Sequence, residues 1–259
     1  MSRKEDRVKI YKDTQRISRN TSGSFKQSTR YTDGDVPTLE DIIEMAIDDE
    51  DYQPYDEPAV IRVVDDDTLN VAVDMLDSGF EPLVLNMASD WKAGGGVVKG
   101  SRAQEEELFR RTNYCACVNA KFYPLESPGD FVVTEGVQVL KDDEYRAIYQ
   151  KQDLFLDFIA MPAVRKPGLH GGVDYLYEED REAMELKIDL IFRYAVLEEK
   201  DSLVLGALGC GAFRNPSDKV RDMFRAALKR YECYFKEIVF AVLSGSENTN
   251  YSIFESLCS

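Results

Sequence analysis

The chain has 259 residues, 44% of them hydrophobic and 31% charged, so it is long enough to bury the core of one large domain or at most two small ones. Its 32 basic and 48 acidic residues give a formal net charge of −16, which argues against direct binding to nucleic-acid backbones, because such binding needs clustered Lys and Arg. No apolar run approaches the ~20 residues of a membrane span, and the first residues do not resemble a secretory leader. The five cysteines, an odd number without framework spacing, suit a reducing compartment. We therefore expect an intracellular monomer, cytoplasmic or nuclear, that contacts no membrane.

The N-terminal segment is the basic part of an acidic chain, with nine Lys and Arg against three Asp and Glu in residues 1–31. This excess of positive charge could bind nucleic acid or an acidic partner. A partial apolar stripe over Arg3–Arg19 instead favours an amphipathic helix that packs on the rest of the chain. Asn20–Asp35 is rich in Ser, Thr and Gly, which predicts a loop. Leu39–Ile47 has the pattern of a short helix and runs into the acidic residues Asp48–Asp51, which we expect in solvent.

From residue 56 onward, short apolar segments alternate with helical patterns. The segments rich in Val, Ile and Leu predict strands at Ala59–Val64, Pro82–Asn86, Phe155–Ala160, Ser202–Leu208 and Glu237–Leu243. The helical patterns cover Thr68–Leu76, Arg102–Asn119, Arg181–Leu197 and Pro216–Tyr231. Nearly continuous apolar strands are buried on both faces, as they are in a mainly parallel sheet between helices. We expect residues 1–55 to form a helical extension packed on the core, and residues 56–259 to form a three-layer α/β/α sandwich with a mixed, mostly parallel sheet.

Two details of this plan concern its connections. Residues 121–153 contain the strand-like patches Phe131–Thr134 and Gly136–Leu140 and are predicted to form an excursion across one end of the sheet. The last long helix has favourable start residues, with Asn215 as the cap and Pro216 in the first turn.

Two glycine clusters follow predicted strands, where open α/β sheets bind their ligands. The first is Gly94-Gly95-Gly96 and the second is Gly209-Cys210-Gly211-Ala212-Phe213, just before the predicted helix at Pro216. Glycine permits positive φ angles and close approach of backbone N–H groups to phosphate, so two such loops could hold a diphosphate without a basic patch. Neither cluster has the lysine of a P-loop or continues as a dinucleotide fingerprint. Glycine clusters alone often mark only tight turns.

The sequence gives little support for a metal site or for a catalytic cysteine. His170 is the only histidine and lies in a loop rich in Pro and Gly, so a Cys–His pair would need an accidental meeting in the fold. Cys115-x-Cys117 does not have the spacing of a zinc site, and no C-x-x-C is present. We therefore expect no metal and no cofactor.

Gln104-Glu105-Glu106 places two adjacent carboxylates at a predicted helix start. In that position carboxylates commonly serve only as favourable partners of the helix dipole. Alternatively, the preceding glycine loop brings them to a phosphate site, where one of them, protonated because burial raises its pKa, would act as a general acid. The spacing alone leaves both interpretations open.

Gly94-Gly95-Gly96, followed after seven residues by Gln104-Glu105-Glu106, resembles the signature of poly(ADP-ribose) glycohydrolases, which are macrodomain proteins, and most closely of their bacterial type. Further stretches resemble that branch: Ile10–Thr14, Val63–Leu69, Asn86–Ser89, Ala103–Leu108, Gly136–Asp143 and Leu208–Pro216. The resemblance implies a macrodomain-like fold for the sandwich and hydrolysis of O-glycosidic ribose linkages in poly(ADP-ribose), with release of ADP-ribose.

The resemblance also implies residue roles. Glu106 would protonate the leaving oxygen and then activate water, while Glu105 would hold the hydroxyls of the reacting ribose. The remaining substrate-binding residues are the diphosphate cradle of Gly94, Gly95, Gly96, Val97, Val98, Gly209, Cys210, Gly211 and Ala212; Phe213 on the distal ribose; Asp67 at the adenine amine; and Asn86 and Ser89 around the ribose pocket. Gln104 of the signature would also bind substrate. Tyr251 or Phe254 would stack on adenine.

Other functions remain open at this point. A mono-ADP-ribosyl-protein hydrolase would use the same loops but need space for a peptide, and a reader module would bind ADP-ribose without turnover. Two retained glutamates argue against the reader, because a mere binder gains nothing from carboxylates beside a diphosphate. An interaction domain with turn-forming glycines would not require both loops. Lys92-Ala93 and Met161–Arg165 depart from the family pattern, which leaves the choice of substrate open.

Overall fold

The computed structural model describes residues 3–20, 28–45, 54–150, 153–244 and 249–258. The strands within these ranges are β1 (Ser28–Tyr31), β2 (Val60–Val64), β3 (Pro82–Asn86), β4 (Phe131–Gln138), β5 (Phe155–Ala160), β6 (Leu169–His170), β7 (Asp174–Tyr175), β8 (Ser202–Leu205) and β9 (Glu237–Ala241). The helices there are α1 (Lys4–Asn20), α2 (Leu39–Met45), α3 (Thr68–Asp77), α4 (Gln104–Arg111), α5 (Tyr114–Cys117), α6 (Glu178–Leu197), α7 (Ser217–Tyr231) and α8 (Thr249–Glu255).

Seven of these strands form one sheet in the order β1-β4-β5-β3-β8-β9-β2, while β6 and β7 form a separate hairpin. The neighbours from β5 to β2 all pair in parallel, and β1 and β4 are antiparallel to their neighbours. The sheet is therefore mixed and mostly parallel, as predicted.

Alternate side chains of each central strand enter different cores. In β3, Leu83 and Leu85 pack in a cluster with α2, α6, α7 and α8, whereas Val84 packs with α1, α3, α4 and α5. Both faces of the sheet are thus covered by helices, which confirms the predicted α/β/α sandwich.

The predicted strands Pro82–Asn86 and Phe155–Ala160 coincide with β3 and β5. The single helix predicted over Arg102–Asn119 is wrong, because the structure has two helices, α4 and α5, with Thr112 extended between them. Thr112 bridges to Val139, and the neighbouring Asn113 N–H donates to the Gln138 carbonyl, so pairing with the chain after β4 interrupts the helix.

Two further predictions are corrected. The excursion predicted over residues 121–153 contains β4, an internal strand of the sheet whose register shifts between Thr134 and Val137. The patch Phe131–Thr134 and the first residues of the patch Gly136–Leu140 belong to this one strand, which ends at Gln138. Ser28–Tyr31, predicted as loop, forms β1 because it pairs with β4, so the predicted extension contributes an edge strand to the sheet. Residues 21–27 and the acidic block Asp48–Asp51 lie outside the described residues.

Helix α1 is fixed to the sandwich by buried polar contacts as well as by Tyr11 and Ile17. The Thr14 hydroxyl donates to the Arg110 carbonyl at 2.5 Å, and Lys141 Nζ donates to Thr14 Oγ1 at 2.9 Å. Residues Lys4–Asn20 of the basic segment therefore form a helix that packs on α4 and α5.

Candidate active site

A cavity of about 960 Å³ lies beyond the carboxyl ends of β2, β3, β5, β8 and β9. This is the edge at which open α/β sheets bind ligands, because the loops that follow neighbouring parallel strands meet there. Both glycine loops predicted from the sequence contribute to its wall, and the first turn of α4 lies between them.

Glu105 and Glu106 occupy that first turn and are 3% and 6% exposed. The Ser89 and Gly94 amides donate to the two carboxylate oxygens of Glu105 at 2.8 and 2.9 Å. The Gly96 amide donates to Glu106 Oε1 at 2.7 Å. Gly94 has a φ of +74°, a value that favours glycine and turns the loop back onto the helix.

The second carboxylate oxygen of Glu106 is buried and has no hydrogen-bond partner among the described residues. Buried polar atoms in native proteins are nearly always hydrogen-bonded, because an unpaired one costs about 1–3 kcal/mol. Since Glu106 lines the cavity, a ligand bound there is the natural source of the missing partner.

Burial raises the pKa of Glu105 to about 8, against the amide hydrogen bonds from Ser89 and Gly94, which lower it; the Glu106 carboxylate raises it further. A buried carboxyl in this range exchanges a proton near neutral pH.

Gln104 ties the start of α4 to the end of β3. Its Oε1 accepts from the Met87 amide at 3.0 Å, and its Nε2 donates to the Leu85 carbonyl at 2.7 Å. The residue lines the cavity, and its contacts fix where the following glutamates project.

The second loop is held from behind by Asn215. Its Nδ2 donates to the Val164 carbonyl at 2.8 Å, and its Oδ1 accepts from the Tyr175 hydroxyl at 2.9 Å. The predicted capping role of Asn215 is therefore wrong, because its side chain is used by the loop and the N-cap position of α7 falls on Pro216. Gly209 has a φ of +75° and packs so closely that a Cβ there would lie 2.5 Å from Asn215 Nδ2.

Arg165, which follows β5, links the two loops. Its guanidinium forms an ion pair with Asp90 of the first loop and lies 4.4 Å from the ring centroid of Phe213 in the second. Arg165 and Phe213 both line the cavity.

Asp67 lies in the cavity wall at the β2 end. Its Oδ1 caps α3 by accepting from the Leu69 amide at 3.0 Å, and it accepts from Arg111 Nη1 at 2.7 Å. Burial raises the pKa of Asp67, whereas the Arg111 charge lowers it.

The structure brings most of the predicted site residues together. Those that line the cavity are Asp67, Ser89, Gly95, Gly96, Gln104, Glu105, Glu106, Gly209, Gly211, Ala212 and Phe213. Five others are not in its wall: Asn86, Gly94, Val97, Val98 and Cys210. Asn86 and Val97 are buried, and Val98 is 54% exposed. Gly94 is buried under the ring of Phe109. The Cys210 side chain is also turned into the protein, where burial raises the pKa of its thiol to about 12.

The structure contradicts the expectation that Phe254 stacks on adenine, and Tyr251 does not line the cavity. Phe254 is fully buried against Phe224 and Phe240, and Tyr251 packs against the same core. Their neighbour Asn250 lines the cavity instead.

Several cavity residues were not predicted: Arg7, Arg111, Tyr145, Arg165 and Asn250. Arg7 and Arg165 lie in segments that the sequence did mark, the basic N-terminus and a stretch that departs from the family pattern. Their chemistry gave no hint of their position, because each reaches the site through tertiary packing.

Among the described residues, no group of three or more His, Cys, Asp and Glu side chains has the arrangement to hold a metal ion. In the same part of the chain, no helix combines the length and apolar character needed to cross a membrane.

Comparisons with known proteins identify the family of the chain. A family model described as the catalytic domain of microbial-type PARG matches residues 3–144, more than half of the chain. A comparison with curated proteins gives no match.

Similar solved structures cover nearly the whole chain. Poly(ADP-ribose) glycohydrolase (PARG) from Thermomonospora curvata is 23% identical with a TM-score of 0.77, over 98% of this chain and 99% of that one. A structure of that enzyme bound to the inhibitor ADP-HPD is 22% identical with a TM-score of 0.75, over 96% and 98%. PARG from Deinococcus radiodurans in complex with ADP-ribose is 22% identical with a TM-score of 0.71, over 94% and 96%. These likenesses show a shared fold.

Proposed function

The chain belongs to the family of microbial-type PARG catalytic domains, and on this premise we propose that it hydrolyses the O-glycosidic ribose bonds of poly(ADP-ribose) and releases ADP-ribose. The observation that carries the proposal is the buried Oε2 of Glu106 in the cavity wall, which has no hydrogen-bond partner in the part of the chain that the structure describes. The complexes of the similar enzymes with ADP-ribose and ADP-HPD support the same class of ligand.

We propose that ADP-ribose spans the cavity from the β2 end to the β3 end. Asp67 lies at the first end and the two glutamates at the second. Backbone amides of Gly95, Gly96 and the loop from Gly209 to Phe213 would hold the diphosphate, with Phe213 against the distal ribose. Such amides bind anions without adding side-chain charge, which suits a protein of net charge −16.

Glu106 acts first as the acid and then as the base. A proton on Oε2 is given to the oxygen that leaves C1″, while the ribose develops oxocarbenium character. The carboxylate that results removes a proton from the water that attacks C1″, so the acid is regenerated. The bound diphosphate stabilises the developing positive charge, and Gly96 keeps Oε1 in place throughout.

Glu105 holds the ribose hydroxyls. Each of its oxygens accepts one amide hydrogen bond and retains acceptor capacity for a hydroxyl. Because its backbone partners are in the loop that carries Gly96, the two glutamates keep a constant separation.

The test is release of ADP-ribose from poly(ADP-ribose) by the wild-type protein and by Glu106→Gln. We expect the variant to lose turnover and to keep its affinity for ADP-ribose, measured by calorimetry, because the amide preserves the shape of the side chain without an acidic proton. Turnover near the wild-type level would contradict the assignment of the acid.

Two other functions are outcomes of the same experiment. Release of ADP-ribose only from mono-ADP-ribosylated proteins would identify a mono-ADP-ribosyl-protein hydrolase. A calorimetric signal without turnover of either substrate would identify a reader.

A further inference from the structure

Trp91 is the only tryptophan of the chain, and it is 69% exposed beside the cavity. Its neighbours Ser89 and Lys92 line the cavity, whereas Trp91 itself is not in the wall. Large aromatic side chains bury most of their surface in folded proteins, so an indole left in water at the lip of a ligand site needs an explanation.

The backbone that carries Trp91 is held on both sides. The Trp91 amide donates to Ser89 Oγ at 3.2 Å, and the Gly95 amide donates to the Lys92 carbonyl at 3.2 Å. The preceding Asp90 forms the ion pair with Arg165, and its carbonyl accepts from the Leu125 amide at 2.8 Å. The ring is therefore presented by a fixed loop, which lowers the entropy cost of contacting a partner.

The position of this loop indicates the direction in which a bound polymer would continue beyond the glutamates. Leu125 packs with Val132 of β4 and Ala160 of β5, so Asp90 and Trp91 stand over the β5 side of the glutamates. Asp67 lies on the other side, after β2, with β9 and β8 between. A ligand that runs from Asp67 to the glutamates therefore points its next unit toward Trp91.

We propose that Trp91 and Lys92 form an accessory subsite for the adenosine of the ADP-ribose unit that leaves. This inference rests on the proposed function. The alcohol released from C1″ of poly(ADP-ribose) is a hydroxyl of that adenosine's own ribose, so its adenine lies only one sugar away from the bond that breaks. The indole stacks on the adenine face, and the Lys92 ammonium approaches the phosphates attached to the same nucleoside.

The first test compares Trp91→Ala, Trp91→Phe and the control Phe155→Ala. Phe155 is 48% exposed at the start of β5, the end of the sheet opposite the cavity. Loss of one base-stacking contact predicts that Trp91→Ala lowers kcat/KM for poly(ADP-ribose) about tenfold, through KM. Trp91→Phe recovers most of this loss, Phe155→Ala behaves as wild type, and the affinity of every variant for free ADP-ribose is unchanged.

The second test uses the fluorescence of Trp91 in the Glu106→Gln protein, which holds polymer without cleaving it. We expect poly(ADP-ribose) to quench the emission and free ADP-ribose to leave it unchanged.

The proposal is overturned if Trp91→Ala turns over the polymer as wild type does. It is equally overturned if the substitution lowers the affinity for free ADP-ribose by as much as it lowers kcat/KM for the polymer. It is also overturned if the variant is impaired only on mono-ADP-ribosylated proteins, since Trp91 would then contact a protein surface. Failure of the proposed function is a separate result, in which the wild-type protein releases no ADP-ribose from the polymer.

Discussion

Glu105 and Glu106 are neighbours in sequence but differ in their surroundings. Both oxygens of Glu105 accept amide hydrogen bonds from the first loop, whereas only Oε1 of Glu106 does. A carboxylate with both oxygens fixed by amides suits a group that holds hydroxyls, and a carboxyl with one unpaired oxygen suits a group that transfers a proton to a ligand. The division of labour thus follows from where the loop amides point.

Gly95 is the residue whose replacement tests this arrangement. Its φ is +49°, and a Cβ there would lie 2.7 Å from Glu106 Oε1 and 2.9 Å from Glu105 Oε2. We predict that Gly95→Ala moves the carboxylates and lowers kcat/KM roughly 100-fold. The matched control is Gly79→Ala, because Gly79 has a φ of +86° and an added Cβ there would meet open space. Both variants lose about 1–2 kcal/mol of stability, but only the first loses turnover. Equal activities of the two variants would contradict the prediction.

At the scale of residues, the sequence predicted the features that depend only on residue type and short spacing. The glycines and the paired glutamates were found because their residue types and spacing suggest phosphate and proton chemistry on their own. Arg165 and the true role of Asn215 could not be found in this way. Asn215 bonds Val164, 51 residues away, and Arg165 pairs with Asp90, 75 residues away, so both depend on tertiary packing.

At the scale of elements, α1 shows how polar contacts hold an extension on a core. The Thr14 hydroxyl donates to Arg110 at the end of α4, and Arg7 Nε donates to the Gly100 carbonyl of the first loop at 2.8 Å. An amphipathic helix was predicted here from its apolar stripe, but these contacts were not. The same limit explains the helix predicted over Arg102–Asn119, which Thr112 interrupts because it pairs with Val139.

We predict that Thr14→Val destabilises the whole protein by about 1–3 kcal/mol, because it removes the hydroxyl that donates to the buried Arg110 carbonyl. It also removes one partner of the buried Lys141 ammonium, which keeps the Ile10 carbonyl and Asp13. The volume of the side chain is nearly unchanged, so packing is preserved. The control is Lys12→Ala, an exposed position on the same helix. The measurement is the midpoint of urea unfolding, and equal midpoints for the two variants would show that α1 is held by its apolar contacts alone.

For the molecule as a whole, the site sets an electrostatic problem that the fold resolves. Under the proposed function, a chain of net charge −16 binds a diphosphate beside two carboxylates. Its cavity wall contains six cations beside seven carboxylates, a nearly even local balance that the overall charge does not reveal. The cations are Arg7, Lys92, Lys99, Arg102, Arg111 and Arg165, and the carboxylates are Asp66, Asp67, Glu105, Glu106, Glu107, Asp143 and Glu144. The sequence predicted the layers of the sandwich but no strand order, and this local balance of charge arises only where distant segments of the chain meet at one sheet edge.

Because Glu105 is buried, stability itself should depend on pH. The folded state raises the pKa of Glu105 from its ordinary 4.5 to about 8, so between these values the folded protein binds a proton that the unfolded chain does not. The free energy of unfolding therefore falls as pH rises through this window, by up to about 1.4 kcal/mol for each pH unit, and the contribution of Glu105 is complete below the unfolded pKa. Urea unfolding of wild type and Glu105→Gln at pH values from 5 to 8 measures it. The effect of Glu105 is the difference between the two proteins in how steeply the free energy of unfolding changes with pH. Their absolute stabilities are not compared, because the Gln side chain also disturbs the hydrogen bonds from the Ser89 and Gly94 backbone amides. Parallel curves for the two proteins would mean that Glu105 is ionised throughout, held as a carboxylate by those amides.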